Sequence, residues 1–264
     1  MSCYKMIILN YNHGYFDKFI CMCYVLTLES NIKKNYMKEL SKFTPFSKVT
    51  IQENKGFKKC KKNLWRDTTI QDLNDAYLNV FKHAQLNRFK NILILEDDFF
   101  FDNLTQEIAD DIGNFITNNK FDVYNLGPSF HHSIPSSANH HRSLFYVASH
   151  GVIYSSHYIK YYIDTYKIAQ KVHFDQYPNK LSIIKYKYYK PICFQLFPET
   201  ENQKNWTLHV NFITKKFIKI SIWFMKQLKM DTTHQPGYDI LNMIGYMWIP
   251  FILLIIYIGC FNFM

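Results

Sequence analysis

Three consecutive carboxylates, Glu96-Asp97-Asp98, follow directly on the apolar run Asn91–Leu95 (NILIL). Acidic side chains at the end of a buried strand are costly unless a cation or hydrogen-bond donors join them. Alternate side chains of a strand share a face, so Glu96 and Asp98 point one way and Asp97 the other. Hard oxygen donors in that arrangement suit Mg2+ or Mn2+ shared with a substrate phosphate. A plainer role, capping of the strand and its turn, stays open from these three residues alone. Elsewhere, Lys55, Lys58 and Lys61 crowd one loop, where they could clamp a diphosphate or simply be solvated. The pairs His131-His132 and His140-His141 suggest a metal, but the segment between them has no acidic partner, which argues against a structural site.

The elements that must position these residues are legible from periodicity. Cys23–Leu28 reads as a core strand, followed by a helix over 31–40 with Ser30 as its cap. Lys48–Ile51 is a short strand, and 52–66 a polar loop. Thr69–Leu86 carries apolar residues near the 3.6 period of a helix. Asn91–Leu95 suits a central parallel strand buried on both faces. A helix over 104–117, a strand over 122–126, strands at 144–148 and 151–154, a helix from Ser155 toward Ala169 and a short helix over 174–181 follow. Late strands fall at 185–189 and 192–196. Strands alternating with helices predict an α/β domain with a mostly parallel sheet and flanking helices.

Several of these pieces stand in the order found in glycosyltransferase family 25, which includes lipopolysaccharide and procollagen galactosyltransferases and relatives in large DNA viruses. Tyr24-Val25-Leu26-Thr27-Leu28-Glu29 resembles the family's opening strand, which lines the nucleotide site. Ile94-Leu95-Glu96-Asp97-Asp98 with Phe99 is similar to its "ILEDD" element, and Leu126-Gly127 to its later "LG". Ser149-His150-Gly151-Val152-Ile153-Tyr154-Ser155 resembles a further strand element, and Val172-His173-Phe174-Asp175 sits where the family has "P-V-D". The resemblance covers roughly 23–200. Two family features are missing: lysines stand where an arginine follows the first strand, and Asp72-Leu73-Asn74-Asp75 replaces a Ser-His pair.

The resemblance implies a GT-A-like (Rossmann-like) fold and a metal-assisted, inverting transfer of galactose or glucose from a UDP-sugar. Glu96 and Asp98 would hold Mn2+ or Mg2+, with Mn2+ favoured, and Asp97 would orient ribose or donor sugar. Asp175 is the expected general base, with a metal role as its rival. Leu28, Glu29, Lys55, Lys58, Lys61, His150 and Gly151 would line the donor site. The acceptor would be a glycan, a lipid-linked group or a protein. Competing readings are a non-catalytic scaffold derived from a transferase and a metal-dependent phosphohydrolase.

The 264 residues carry 31 Lys and Arg against 21 Asp and Glu, a formal charge of +10. The basic side chains gather in the 55–66 loop and before the C-terminal segment, with no repeating basic–aromatic stripe, so nucleic acid is not expected as a partner. The six cysteines show no disulfide or zinc spacing and are expected to be free thiols. Ile240–Met264 has no charged side chain and reads as a single-pass membrane helix. Segment 206–239 reads as basic and amphipathic, lying either in a membrane interface or on the domain. The lysines before the span place the domain of residues 1–205 on the cytosolic side, where the sequons at Asn103 and Asn205 would stay unmodified.

Overall fold

The computed structural model describes residues 2–29, 33–198 and 212–261. The described residues form eleven strands: β1 (Tyr4–Asn10), β2 (Cys23–Leu28), β3 (Lys48–Asn54), β4 (Asn91–Glu96), β5 (Phe99–Phe101), β6 (Val123–Asn125), β7 (Phe130–Pro135), β8 (His140–Val147), β9 (Gly151–Ser155), β10 (Lys185–Tyr188) and β11 (Cys193–Gln195). Helices are α1 (Lys33–Lys42), α2 (Thr69–Leu86), α3 (Gln106–Asn118), α4 (Ser156–Asp164), α5 (Tyr166–Ala169), α6 (Phe212–Gln227) and α7 (Gly237–Phe261), with a 3-10 helix at Phe174–Lys180.

Nine strands make one sheet in the order β1-β3-β2-β4-β9-β6-β10-β8-β7. β2 lies parallel to both β3 and β4, and β10 parallel to β6. β9 runs antiparallel between β4 and β6, β8 is antiparallel to β10 and β7, and β1 is antiparallel to β3 at the other edge. The sheet is therefore mixed, and the expectation of a mostly parallel one is corrected. An apolar run such as Gly151–Tyr154 shows burial on both faces but carries no sign of strand direction.

Burial alternates along the central strands. Cys23, Val25, Leu93 and Leu95 face a core shared with α1 and α3. Tyr24, Leu26, Ile92 and Ile94 face a second core shared with α2 and α4. Helices thus cover both faces of the sheet, which is why β4 can be apolar at every position from Ile92 to Leu95. Burying each such side chain contributes about 1.5–3 kcal/mol. Helix starts are fixed locally: Thr68 caps α2 through Gln71 N, Thr105 caps α3 and Ser155 caps α4. β5 and β11 pair as a separate two-stranded sheet, which packs with α6 and α7 in a third apolar cluster around Phe194, Met230, Tyr238 and Leu241.

Two expectations about the ends of the chain change. Cys3 and Cys60 form a disulfide, with Cα atoms 5.7 Å apart, so these thiols are not free. β1, which the sequence pattern did not reveal, brings residue 3 against the loop after β3. Among the described residues, no helix is long and apolar enough to cross a membrane. The uncharged stretch from Ile240 begins as a helix docked on the sheet edge. His131 Nε2 meets Asn242 Oδ1 at 2.8 Å, and His141 Nδ1 meets the Tyr246 hydroxyl at 2.5 Å. Asn242 and Tyr246 are four residues apart and share one helix face, so a stretch without formal charge still presents a polar stripe to β7 and β8. Residues 262–264 and Asn205 lie outside the described residues.

Candidate functional site

The strand order reverses direction at β2. From β2 the chain adds β3 on one side, then crosses to add β4 on the other. Ligands of open α/β sheets bind in the crevice beyond the carboxyl ends of strands at such a switch point. The residues at those ends are Leu28 and Glu29 after β2, Asn54 and Lys55 after β3, and Glu96-Asp97-Asp98 after β4.

Glu96 is held by two donors on one oxygen: Tyr77 Oη at 2.9 Å and Ser149 Oγ at 3.0 Å. Burial pushes its carboxyl up to about 7, the charges of Asp175 and Asp97 add to that, and the two hydrogen bonds oppose it. Thr27 Oγ1 donates to Asp97 at 2.7 Å. Asp98 accepts from Gln195 Nε2 at 2.8 Å. Loss of surrounding water, then the charges of Glu96 and Asp97, hold Asp98 well above the usual carboxylate range. Solvent still reaches Asp98, which moderates that shift.

Asp175 opens the 3-10 helix, and burial raises its carboxyl while His173 opposes the shift. It reaches the acidic triplet through packing. Phe174 stacks on Tyr77 with ring centroids 3.4 Å apart, and Tyr77 in turn holds Glu96. The turn before Asp175 is tied to α2, because Asn74 Nδ2 donates to Val172 O at 2.8 Å and Gln71 Nε2 to Gln170 O at 3.2 Å. The segment Asp72–Asp75 is thus a brace: Asp72 pairs with Lys62 at 2.5 Å, and Asp75 accepts from the Tyr4 hydroxyl. Among the described residues, no lysine or arginine pairs with Glu96, Asp98 or Asp175.

No protein-family model and no curated protein matches this chain. Among solved structures, it is similar to one described as A197 from STIV, with 9% identity, TM-score 0.39, and coverage of 63% of this chain and 81% of that one. It is also similar to a glycosyltransferase involved in the glycosylation of the major capsid of PBCV-1, with 8% identity, TM-score 0.34, and coverage of 60% and 71%. Likenesses this distant carry no argument about the site, which rests on its own geometry.

The remaining expected residues divide. Glu29 and Lys55 line a cleft of about 250 Å3 together with Ser2, Cys3, Tyr4, Lys5 and Glu53. Leu28 is exposed at the same strand end. Lys58 and Lys61 are exposed on the loop. The lysine this loop commits inward is Lys62, whose ammonium sits on Asp72 and Asn54 and 4.5 Å from the Tyr4 ring. His150 is buried, meets the Cys193 carbonyl at 2.9 Å, and is lowered to about 4 by burial, so it is neutral and holds β9 to β11. Gly151 is a packing position, since a Cβ there would collide with Cys193 Sγ. Sequence reasoning missed Thr27, Tyr77, Ser149 and Gln195, the neutral groups that orient the carboxylates. Thr27 and Ser149 stood inside the two strand elements that carry the family resemblance, whereas Tyr77 and Gln195 carried no signal.

Among the described residues no three His, Cys, Asp or Glu side chains form a ready ligand set, and the histidines of β7 and β8 are engaged in hydrogen bonds and ring contacts instead. His131 and His141 are lowered to about 3 and about 4, first by burial and then by the nearby Lys187. His140 meets Tyr124 at 2.8 Å and Asp111 at 3.2 Å, and its ring stacks on Phe115.

Proposed function

We propose that this chain is a glycosyltransferase of GT-A-like fold that moves a sugar, galactose or glucose, from a UDP-sugar to an acceptor hydroxyl with inversion. The observation that supports this most is the set of raised carboxylates at the switch point. Glu96 feels the charge of Asp175 and Asp98 that of Glu96, and among the described residues no lysine or arginine joins them. Groups so placed are destabilised until something positive arrives, which is the pattern of a site built for a ligand rather than for stability.

The donor set fits a hard divalent cation. Glu96 and Asp98 offer carboxylate oxygens, and with no third protein ligand at hand the remaining positions suit phosphate oxygens and water, as Mg2+ or Mn2+ commonly accept. When bound, such a cation would stabilise the charge that grows on the departing diphosphate. The chain's own residues do the rest. Asp97, aimed by Thr27, orients ribose or donor sugar. The acceptor oxygen attacks the anomeric carbon, the bond from that carbon to the phosphate oxygen breaks, and the acceptor proton passes to Asp175. A base of raised pKa is better matched to a hydroxyl than an ordinary carboxylate. Gln195 holds the Asp98 carboxylate through one hydrogen bond, and Glu29 and Lys55 line the cleft at the ends of β2 and β3.

The test is a thermal-shift titration with UDP and Mn2+, comparing the native chain with Asp98→Asn. A cation-dependent rise in Tm that the variant loses supports the reading. A folded protein that neither shifts nor hydrolyses any common nucleotide sugar overturns it.

A further inference from the structure

We propose that the outer face of α6 is a docking surface for an anionic lipid bilayer, independent of the sugar-transfer reading. Six apolar side chains on and just beyond α6 divide between two faces. Phe224, Met225 and Leu228, at and just beyond its end, pack into the cluster built on Phe194, Tyr238 and Leu241. Phe212, Ile220 and Trp223 do not; they are 76%, 58% and 59% exposed. Lys216 and Lys219 fall on the same helical stripe as these three, at spacings of three and four residues, and are also exposed.

A face of this composition discriminates among occupants. An exposed ring, two large apolar side chains and cations on one stripe match the boundary between acyl chains and headgroups: the apolar groups enter and the lysines reach the anionic surface. Phe212–Gln227 contains no Asp or Glu, so nothing on the helix opposes a negative surface. The alternation that a partner helix would need, apolar positions in a continuous seam, is interrupted by Lys216 and Lys219. Chain continuity points the same way. α7 begins ten residues after α6 ends, presents exposed Met243 and Met247, and leads into 251–264, a sequence without a charged side chain. Lipid contact there would bring α6 within reach of the same bilayer.

The experiment uses the full chain with Trp65, Trp206 and Trp248 replaced by Phe, so that Trp223 is the one fluorophore. It is reconstituted with vesicles of brominated phosphatidylcholine, with or without phosphatidylserine. Trp223 should be quenched and blue-shifted when the anionic lipid is present. Lys216→Glu with Lys219→Glu should lower that surface partitioning at least about tenfold, since each lysine near such a surface contributes roughly fivefold. Far-UV circular dichroism checks that the variants remain folded. Trp223 that stays unquenched and open to acrylamide in anionic vesicles overturns the proposal. So does Trp223 shielded without lipid in a concentration-dependent way, which would make the occupant a second copy of this chain.

Discussion

Two regions of one sheet take ionisable groups partly or wholly out of water, and they treat them in opposite ways. At the carboxyl ends of β2 and β4, Asp175 repels Glu96 and Glu96 repels Asp98; hydroxyl and amide donors hold Glu96 and Asp98, and His173 alone offsets the charge of Asp175 among the described residues. Under α7, Lys187 on β10 is fully buried, yet each of its three protons has an acceptor: Tyr189 O at 3.0 Å, Asn242 Oδ1 at 3.1 Å and the Tyr246 hydroxyl at 2.9 Å. Burial alone lowers Lys187 to about 7. The lysine network is complete within the protein, whereas the carboxylate cluster is not. Burial of charge therefore does not identify a binding site; incompleteness does.

The strongest test of that contrast is removal of the charges. Asp98→Asn and Asp175→Asn should each lower transfer or donor hydrolysis by about 100-fold or more, with the circular dichroism spectrum retained. Because the folded environment raises Asp175, the acid limb of kcat/KM should sit above the usual carboxylate range and vanish in Asp175→Asn. Lys187→Met should leave turnover within about threefold, since that site touches no reacting group. If Lys187→Met abolishes turnover in a folded protein, the division between the two regions is wrong.

Stability should separate the regions next. Glu96 is held at about 7 in the folded chain and has a value near 4.5 when unfolded. Between these values the folded state keeps a proton that the unfolded state has lost, so stability falls as pH rises through that window. Glu96→Gln should therefore stabilise the protein at pH 8, by on the order of 1–3 kcal/mol, and have little effect near pH 4. Lys187 has the opposite sign. Its folded value of about 7 lies below its ordinary 10.5, so the unfolded state binds the extra proton and stability rises with pH between the two. Lys187→Met should flatten that rise. It also removes one of two donors from the Tyr189 carbonyl and from Asn242 Oδ1, which keep Asn242 Nδ2 and His131 Nε2, at a cost of about 0.5–1.5 kcal/mol, seen as faster amide exchange in α7.

Much of the frame was legible in sequence for a physical reason. α2 matches the periodic segment Thr69–Leu86 residue for residue, and β4 extends the apolar run by Glu96 alone. Both are long or uniformly buried, so local pattern and tertiary burial agree. β1, β5 and β7 were missed. β1 and β7 are edge strands of mixed exposure, and β5 is a three-residue strand inside FFFD whose register is set only by β11. In the site, the acidic triplet was visible because three adjacent carboxylates after an apolar run are chemically unusual. Its supports were not, because Thr27, Tyr77, Ser149 and Gln195 come from four distant segments and only folding brings them together. In the C-terminal stretch Asn242 and Tyr246 carry no charge, so a hydropathy reading passes over the polar face they present to β7 and β8.

The smallest expected effect concerns the seam between the two regions. Tyr238, at the start of α7, accepts from Gln195 N and donates to Gln195 O, both at 3.2 Å, and the Gln195 side chain reaches Asp98. The helix that covers Lys187 thus also steadies a residue that aims the carboxylate. Tyr238→Phe removes both hydrogen bonds but keeps the ring packed on Phe194. It should lower kcat by about two- to fivefold, the size expected for a slightly loosened positioning group, and weaken activation by divalent cation in parallel. Gln195→Ala should produce the same cation dependence with a larger loss, and the double variant should match Gln195→Ala alone, because both substitutions act through one side chain. A fully additive double variant would mean that Tyr238 acts through packing of α7 instead, and the two regions would then be independent.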